Sequence, residues 1–303
     1  MKKISICFAV YQNQDSLIEL YDRFTHNVVT KFPNYTFEFV FVNDGSTDFS
    51  LENLKKIKSI NKDVVIINFS KNFGQMAAIL AGWEFANGDA VINIAADLQD
   101  PPEQCVNMIE EWENGFDIVI STREEHNTSI INKITSRIFY KLLLPKVPKG
   151  GFDFVLLDRK PMNVINSFTE RNRFYQYDIL SVGFNLKFIP YIKEERKHGI
   201  SQYNFIKRFN NFYSAFLNVS YYPLRLMTII GFIFSIASII YGISIVYTFI
   251  FHKTPFVGWA PLMLLLLLIG GIIMIMLGVI GEYIWRLLDE VKARPKYIVK
   301  EIL

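Results

Sequence analysis

The chain has 303 residues, of which 51% are hydrophobic, and its formal net charge is +3 at pH 7. This apolar content exceeds what one ordinary soluble domain needs and is enough for a globular core plus membrane segments. A charge of +3 is too small to indicate a nucleic-acid-binding protein. Two cysteines without CxxC spacing, Cys7 and Cys105, and four histidines indicate neither a disulfide framework nor a zinc site.

The amino terminus predicts a strand and not a signal peptide. The sequence MKKISICFAVYQNQ begins with basic residues, but its apolar stretch is only about eight residues long and no small-residue cleavage site follows. Residues Lys3–Val10 are therefore expected to form the first strand.

The first 123 residues repeat one pattern, in which a short apolar run is followed by a polar turn and a helix-like stretch. This alternation predicts a doubly wound α/β fold, and the Val, Ile and Phe content of the runs is typical of strands covered on both faces. The expected strands are Lys3–Val10, Phe37–Asn43, Val64–Asn68, Ala90–Ala95 and Asp117–Ser121. The expected helices are Asp15–Phe32, Phe49–Ile60, Gln75–Ala86 and Pro102–Glu113.

Each expected strand ends in a polar loop. Because ligands in open α/β sheets bind outside the carboxyl ends of the strands, these loops should share one rim of the sheet. The rim segments are Tyr11 with Asn13, residues 44–48, residues 71–75 and residues 97–100.

The loop after the fourth strand reads AADLQDPPE and carries a carboxylate and an amide oxygen two residues apart. Asp97 and Gln99 can face one hard divalent cation, and such oxygen ligands suit Mg²⁺ or Mn²⁺ holding a diphosphate. An acidic turn in which Asp100 or Glu103 serves the next helix start is the alternative.

The loop after the second strand reads NDGSTD and has two carboxylates around a glycine. Asp44 could accept hydrogen bonds from a nucleobase. A plain Asx turn in which Asp48 caps the next helix explains the loop equally well in isolation.

Beyond Arg123 the pattern changes to longer helices, expected at Ile130–Leu144, Met162–Glu170 and from Phe205 to about Asn218. In the first of these, apolar and basic residues each recur at four-residue spacing and form adjoining stripes. Such a helix can lie in a bilayer interface, with Lys133 and Arg137 at the depth of lipid phosphates. A core helix with a solvated basic face is the alternative. Residues 205–225 form a second interfacial candidate.

Residues 226–251 and 257–281 contain no Asp, Glu, Lys or Arg. At about 1.5 Å per residue each run can cross a hydrocarbon layer of about 30 Å, which predicts a transmembrane hairpin within residues 226–285. Basic residues precede the first run and follow the second, so residues 1–204 and the basic tail 286–303 are expected on the cytoplasmic side.

The order of the motifs carries a resemblance. VNDGSTD, then KNFGQMAAILAG, then ADLQDPPE is similar to the family 2 glycosyltransferases of GT-A fold, in the branch of dolichol-phosphate mannose synthase and bactoprenol glucosyltransferase. GFDFVLLDR, ERNRF, RKHGISQY and the two-helix hairpin also resemble that branch, so the likeness covers nearly the whole chain. It implies a GT-A catalytic domain and transfer of a sugar from a nucleotide diphosphate to a polyprenyl phosphate.

The resemblance also implies roles for single residues. Metal ligands are expected at Asp97 and Gln99, which together with Arg196 form the catalytic set. Nucleotide contacts are expected at Val10, Tyr11, Asn13, Asp44, Asn72, Gly74, Asp97, Arg196 and Ser201. Asp153 lies in the acceptor-side motif, and with the basic helix it completes the expected acceptor-phosphate set: Arg123, Lys133, Ser136, Arg137 and Asp153.

Three departures from the family pattern remove charge near the diphosphate. The usual Asp-x-Asp reads Ala95-Ala96-Asp97, the first strand ends in Ala9-Val10-Tyr11-Gln12-Asn13 instead of Pro-x-Tyr-Asn-Glu, and Gln202 replaces a frequent lysine. A non-catalytic membrane partner that kept the fold therefore stays open as an alternative.

The expected reaction is an inverting, metal-dependent hexose transfer from UDP-glucose to undecaprenyl or another polyprenyl phosphate, in a bacterial inner membrane. UDP-GlcNAc, UDP-galactose and GDP-mannose are alternative donors, and a water-soluble acceptor is an alternative to the lipid. A processive polysaccharide synthase is disfavoured because no Gln-x-x-Arg-Trp motif occurs. A homo-oligomer remains open.

Overall fold

A computed structural model describes residues 1–123, 152–171, 173–195, 222–252 and 259–303. These residues fall into two compact units. The first contains the described residues up to 195 together with Pro295–Leu303, and the second contains the described residues from 222 to 294.

The first unit is built on an eight-stranded sheet with the order β7-β5-β6-β4-β1-β2-β3-β8. The strands are β1 Lys2–Val10, β2 Tyr35–Asn43, β3 Val64–Phe69, β4 Ala90–Ala95, β5 Ile118–Arg123, β6 Val155–Asp158, β7 Leu186–Tyr191 and β8 Val299–Ile302. β1 to β4 are the buried strands that the apolar runs predict, because helices cover both of their faces.

The centre of the sheet is parallel, with β1 pairing β2 on one side and β4 on the other, and β2 pairing β3. The chain therefore builds outward through β2 and β3 and then returns to the other side of β1. This reversal is a topological switch point, which is where open α/β sheets bind their ligands. It lies at the carboxyl ends of β1 and β4.

The helices of this unit are α1 Leu17–Asn27, α2 Ser50–Ile60, α3 Gln75–Phe85, α4 Gln104–Glu113, α5 Arg159–Asn166 and α6 Tyr175–Ser181, with a short 3₁₀ turn at Val29–Lys31. α1 to α4 each connect one parallel strand to the next part of the sheet. An aromatic cluster joins α1 to the sheet: the ring of Phe8 stacks on Phe41 at 4.6 Å and meets Phe24 edge-on at 5.4 Å.

Two strands depart from the prediction of a simple doubly wound sheet. β6 runs antiparallel to both β4 and β5, and β8 runs antiparallel to β3 at the edge. β6 and β8 have four residues each, too short to give a clear period in the sequence. Because β8 is formed by Val299–Ile302, the end of the expected basic tail, residues 286–303, is part of the eight-stranded sheet.

The expected helix Met162–Glu170 begins and ends earlier in the structure, at Arg159–Asn166. Asp158 caps it, because its side chain accepts a hydrogen bond from the backbone N–H of Lys160 at 2.9 Å. The expected helices at 130–144 and 205–218 lie outside the described residues.

The second unit consists of two long apolar helices, α7 Tyr222–His252 and α8 Trp259–Val291. Each contains a stretch long and apolar enough to cross a membrane, at Pro223–Ser244 and Leu268–Val291. Their large apolar side chains are exposed, as expected of a surface made for lipid. α8 continues ten residues beyond the expected end of the second span at residue 281.

Candidate active site

The carboxyl ends of three neighbouring strands meet beside the switch point. In the sheet register Val10 lies opposite Asn43, and Ala9 lies opposite Ala95. The loops that begin at Tyr11, Asp44 and Ala96 therefore start side by side, as the sequence predicts for a shared rim.

Asp44 is buried at the start of the loop after β2, with 2% of its surface exposed. Its carboxylate accepts hydrogen bonds from the backbone N–H groups of Phe73 at 2.6 Å and Gly74 at 2.9 Å. Burial raises the pKa of Asp44, and these two bonds offset part of that rise. Asp44 thus holds the loop before α3 in place, which an isolated Asx turn does not do.

Gly45 lets the two loops approach closely. Its φ is +64°, and a Cβ at this position would lie 2.4 Å from the carbonyl carbon of Lys71 and 2.5 Å from the backbone nitrogen of Asn72. A side chain would have to push backbone atoms apart, so glycine is required for both conformation and space. Asn72 and Gly74, two expected nucleotide residues, are therefore adjacent to Asp44.

The loop after β1 is tied to both neighbours. The Asn13 carboxamide oxygen accepts from the backbone of Tyr11 at 3.0 Å, and the backbone N–H of Gln12 donates to the Ser46 hydroxyl at 3.1 Å. The Ser16 hydroxyl donates to the carbonyl of Ala96 at 2.7 Å. Val10, Tyr11 and Asn13 thus border the same rim, with the Asn13 side chain shaping its own loop.

The Asp97 loop is a tight turn closed by its own carboxylate. The Asp97 Oδ1 accepts the backbone N–H of Gln99 at 3.2 Å, while Leu98 between them is fully buried with a φ of +59°. Burying Leu98 turns Asp97 and Gln99 outward, and both are half-exposed at the rim.

These side chains fit a divalent cation that is completed by substrate. Within the described ranges, no group of three or more His, Cys, Asp or Glu side chains could hold a metal ion. Mg²⁺ is commonly held by one or two carboxylates plus substrate phosphates and water, so a single outward carboxylate suits it when a diphosphate supplies other ligands. Asp97 and Gln99 present at the rim a carboxylate and an amide, the oxygen donor types that such a cation binds.

A second polar network lies on the other side of the Asp97 loop. Arg123 at the end of β5 forms an ion pair with Asp153 at 3.1 Å, so the structure brings together two residues of the expected acceptor set. Burial lowers the pKa of Arg123, but the charges of Asp153, Tyr191 and Asp100 outweigh this and raise it overall. Arg123 is therefore a fixed cation.

Asp153 is held from two sides. Its Oδ1 accepts from the Tyr175 hydroxyl at 2.6 Å and from the Gln176 amide at 3.1 Å, and its Oδ2 accepts from Arg123. The amide of Asn93 on β4 also donates to the Asp153 backbone carbonyl at 2.8 Å. These contacts anchor the segment before β6 to the central sheet.

Asp100 belongs to this inner network rather than to the rim. It is 1% exposed and accepts a hydrogen bond from the Tyr191 hydroxyl at 2.5 Å. Burial raises its pKa, and Lys193 and the Tyr191 bond act against the rise. The alternative that Asp100 merely caps the next helix is not what the structure shows.

Sequence reasoning missed the end of β7. The Arg123 guanidinium contacts the Tyr191 hydroxyl at 3.3 Å, and the backbone N–H of Glu194 donates to the carbonyl of Gln99 at 2.8 Å. Lys193 lies between Tyr191 and Glu194 in sequence. Burial and the charge of Arg123 lower the pKa of Lys193, and the charges of Asp100, Asp97 and Asp153 offset part of this. The hydrophobic run from Phe188 to Ile192 is the signal that could have predicted this strand.

Glu194 is also clamped by Arg23 of α1. The guanidinium donates to Glu194 at 2.8 and 3.1 Å and to Glu103 at 2.6 and 3.2 Å. The chain leading to Arg196 is thus fixed beside the Asp97 loop. Arg196 itself lies outside the described residues, as do Ser201, Lys133, Ser136 and Arg137.

Comparison with protein families identifies both parts of the chain. A family model described as "Glycosyl transferase family 2" matches residues 5–184, and one described as "GtrB C-terminal hairpin" matches residues 222–287. The chain belongs to glycosyl transferase family 2. The first match covers more than half of the chain, including every described rim loop.

Relatives extend the similarity over the full length of this glycosyltransferase. An uncharacterized glycosyltransferase of Synechocystis is 36% identical over 305 residues, covering 99% of this chain and 95% of that protein. The SfII prophage-derived bactoprenol glucosyl transferase of Shigella flexneri is 34% identical over 304 residues, covering 99% and 98%. The hairpin is therefore part of the shared architecture.

Solved structures agree on the fold. A mannosyltransferase from Pyrobaculum calidifontis, solved with GDP-mannose and Mn²⁺, has a TM-score of 0.51 at 14% identity, with coverage of 72% of this chain and 64% of that one. Mannosyl-3-phosphoglycerate synthase from Rubrobacter xylanophilus has the same TM-score and identity, with coverage of 74% of each chain. The catalytic unit of this glycosyltransferase therefore has the GT-A fold.

Proposed function

We propose that this glycosyltransferase moves a hexose, with UDP-glucose as the leading donor, onto a polyprenyl phosphate at a bacterial inner membrane. The observation that carries the proposal is the end-to-end similarity to a bactoprenol glucosyl transferase, which spans the rim loops and the hairpin together. A catalytic domain that shares its chain with two lipid-compatible helices is suited to a lipid acceptor.

The donor side of the proposal uses the rim around Asp44. The loops at residues 11–13, 44–48 and 71–74 are bonded to one another and surround the carboxyl ends of β1 and β2. Val10, Tyr11, Asn13, Asp44, Asn72 and Gly74 would contact the nucleotide. Asp97 and Gln99 would hold Mg²⁺ or Mn²⁺ against its diphosphate, and the Pyrobaculum mannosyltransferase provides a precedent for the metal in this fold.

The acceptor side uses the cations next to the Asp97 loop. Arg123, fixed by Asp153, offers one guanidinium at the end of β5. Lys133, Ser136 and Arg137 are proposed to join it from the amphipathic segment, and Arg196 and Ser201 are proposed to contact the diphosphate or the lipid phosphate. Fixed guanidinium groups suit phosphate because they donate several hydrogen bonds in one plane.

The chemistry of this acceptor needs no general base. A phosphate is already ionised near neutral pH, so its oxygen can attack the anomeric carbon directly. The protein must align the two substrates and neutralise charge on the leaving diphosphate. A cation bound at Asp97 and Gln99 would supply electrostatic stabilisation of that leaving group. A single displacement inverts the anomeric centre, so an α-linked donor would give a β-linked lipid product.

A panel assay tests the proposal. The full chain in lipid nanodiscs is incubated with undecaprenyl phosphate and radiolabelled UDP-glucose, UDP-GlcNAc, UDP-galactose or GDP-mannose, with Mn²⁺, with Mg²⁺ or with EDTA. We expect label in the lipid fraction with UDP-glucose and its loss with EDTA. A product anomer assigned as α by NMR would contradict the inverting step.

A matched acceptor arm separates the lipid from a soluble substrate. The same protein receives glucose, a short oligosaccharide or undecaprenol, which lacks the phosphate. Transfer to undecaprenol or to the soluble acceptors at the rate seen with undecaprenyl phosphate would overturn the acceptor assignment.

A further inference from the structure

The C-terminal segment, residues 297–303, packs on β3, the strand that leads into the loop at residues 70–74. Leu303 and Ile66 exchange two backbone hydrogen bonds of 2.9 Å, and the backbone N–H of Ser70 donates to the carbonyl of Ile298 at 3.0 Å. Residues 298–303 therefore pair with β3 from Ile66 to Phe69 and with Ser70 at the start of this loop.

A relay of side chains runs from the C-terminal segment toward Asp44. The Asn68 amide donates to the Glu301 carboxylate at 2.8 Å, and the Asn43 amide donates to the Asn68 oxygen, also at 2.8 Å. Asn43 and Asn68 are 1% and 5% exposed, so water does not substitute for these bonds. Asn43 immediately precedes Asp44.

Only one polar atom of the Asn43 side chain, the amide nitrogen, is bonded among the described residues. Among the residues that the structure describes, its Oδ1 has no hydrogen-bond partner. The bond to Asn68 is therefore the described side-chain contact that orients this amide, and Glu301 in turn orients Asn68.

A second line of contacts leads from the C-terminal segment to the Asp44 carboxylate through aromatic rings. Tyr297 stacks on Phe69 at 4.8 Å with an interplanar angle of 14°, and Phe69 meets Phe73 edge-on at 5.7 Å. The backbone N–H of Phe73 donates to Asp44. The Tyr297 hydroxyl also donates to Glu84 on α3 at 2.5 Å, which ties the segment to the helix after the loop.

We propose that Glu301 and Tyr297 are positioning residues for donor binding, which set the placement of Asp44 and of the Phe73–Gly74 backbone through the Asn68–Asn43 and Phe69–Phe73 relays. The inference rests on the proposed role of Asp44 in nucleotide binding. It assigns the final residues, which follow the membrane hairpin in sequence, to the nucleotide-binding frame of the catalytic domain.

The first test changes one carboxylate. UDP and GDP binding to the full chain in nanodiscs is measured by calorimetry, and donor KM and kcat by transfer assay. Glu301→Ala should weaken UDP binding and raise the donor KM about fivefold with kcat within about twofold, because one relay acceptor is lost. Glu301→Gln keeps an acceptor oxygen and should restore wild-type values. Lys300→Ala, an exposed neighbour on the same strand, should change nothing.

The second test uses the ring relay and serves if Glu301→Ala fails to fold. Tyr297→Phe keeps the stack on Phe69 and loses the hydroxyl, whereas Tyr297→Leu loses both. We expect a donor KM near wild type for Tyr297→Phe and several-fold higher for Tyr297→Leu, with kcat again little changed.

The outcomes separate this inference from the proposed function. Asp44→Asn is measured in parallel: if it weakens UDP binding while Glu301→Ala and Tyr297→Leu do not, the positioning role alone is wrong. If the wild type binds neither UDP nor GDP, or if Asp44→Asn has no effect, the proposed nucleotide pocket is wrong and the positioning role is overturned with it. Equal losses of kcat for Glu301→Ala and Glu301→Gln would also overturn it.

Discussion

Asp97 is the carboxylate on which the proposed metal site chiefly depends. The residue two places before it is Ala95, where the Asp-x-Asp pattern of the family that the motifs resemble has its first carboxylate. Asp100, the next acidic residue, is buried and bonded to Tyr191, so it does not supply that missing charge at the rim. The proposed cation site therefore depends on one side chain more strongly than a two-carboxylate site would.

We predict that Asp97→Asn lowers the rate of lipid glycosylation by at least about 100-fold, because it removes the charge that would hold the cation. Asp97→Ala should do the same while leaving membrane insertion intact. Radiolabel transfer and recovery in the detergent-extracted membrane fraction are the measurements. Asp63→Asn changes an exposed carboxylate in the turn just before β3; it is the control and should keep full activity. Normal turnover by Asp97→Asn would remove the metal assignment.

Glu38 is a buried carboxylate near the opposite end of the sheet from the rim. It accepts hydrogen bonds from Lys3 at 2.8 Å, from Ser5 at 2.6 Å and from the backbone of Asn87 at 2.8 Å. Burial raises its pKa, but these bonds outweigh it and lower the pKa overall. The cluster joins β1 and β2 to the turn before β4.

We predict that Glu38→Gln lowers the melting temperature by about 3 °C at pH 7. Because the folded pKa lies below the unfolded value of about 4.3, the carboxylate stabilises the fold above that pH and loses its effect as the pH falls through the folded pKa. The difference from wild type should therefore be constant from pH 7 to about pH 5 and narrow only as the pH falls below about 4.3. Melting curves across this range are the measurement, with the exposed Glu52→Gln as control. A pH-independent difference would contradict the linkage.

At the scale of elements, the rim is an assembly of loops that bond to one another. The loop after β2 supplies the carboxylate of Asp44, and the loop before α3 supplies the two N–H groups that it accepts from. The close approach at Gly45 makes this possible. Nucleotide binding should therefore be sensitive to the spacing of these two loops.

We predict that Gly45→Ala weakens UDP binding at least about tenfold, because its methyl group would overlap the backbone of Lys71 and Asn72. Gly115→Ala is the matched control: its φ is +96° but no atom lies within 4 Å of the added Cβ, so it introduces strain without a clash. It should lower stability with little change in UDP affinity. Equal losses of affinity in both variants would show that the close approach has no special importance.

At the scale of the whole molecule, β8 constrains how the chain can cross a membrane. Residues 299–302 follow the two apolar helices in sequence yet pair with β3, which precedes them. Two spanning helices between β3 and β8 would therefore leave both ends of the hairpin on one side of the bilayer. This conclusion depends on strand pairing and not on the count of basic residues.

We predict that cysteines introduced at Lys55 and Lys300, both exposed, react with a membrane-impermeant maleimide from the same face of sealed vesicles. A cysteine at Thr254, between the helices in sequence, should react from the opposite face. The native Cys7 and Cys105 are buried and should contribute little background. The positive-inside rule predicts that the common face is cytoplasmic. Labelling of positions 300 and 254 from one face would contradict the hairpin.

Much of the fold and the family could be predicted from the sequence because the patterns that indicate them are local. Five strands and four helices of the first 123 residues could be predicted from apolar runs broken by polar turns. The structure contains all nine, most of them with shifted first or last residues. The ordered motifs identified the family, and the two uncharged runs predicted the hairpin. Asp44 and Asp97 could be named because each lies within two residues of the end of a strand.

What the tertiary structure decided is which distant residues meet. Arg123 pairs with Asp153 thirty positions away, Tyr191 bonds Asp100 ninety-one positions away, and Glu301 bonds Asn68 across 233 positions. No local period encodes such contacts, because they arise when strands from separate parts of the chain enter one sheet. β6 and β8 are also too short to show themselves in a sequence pattern. Their place in the sheet, and with it the link from the end of the chain to Asp44, depends on pairing partners that only the folded molecule supplies.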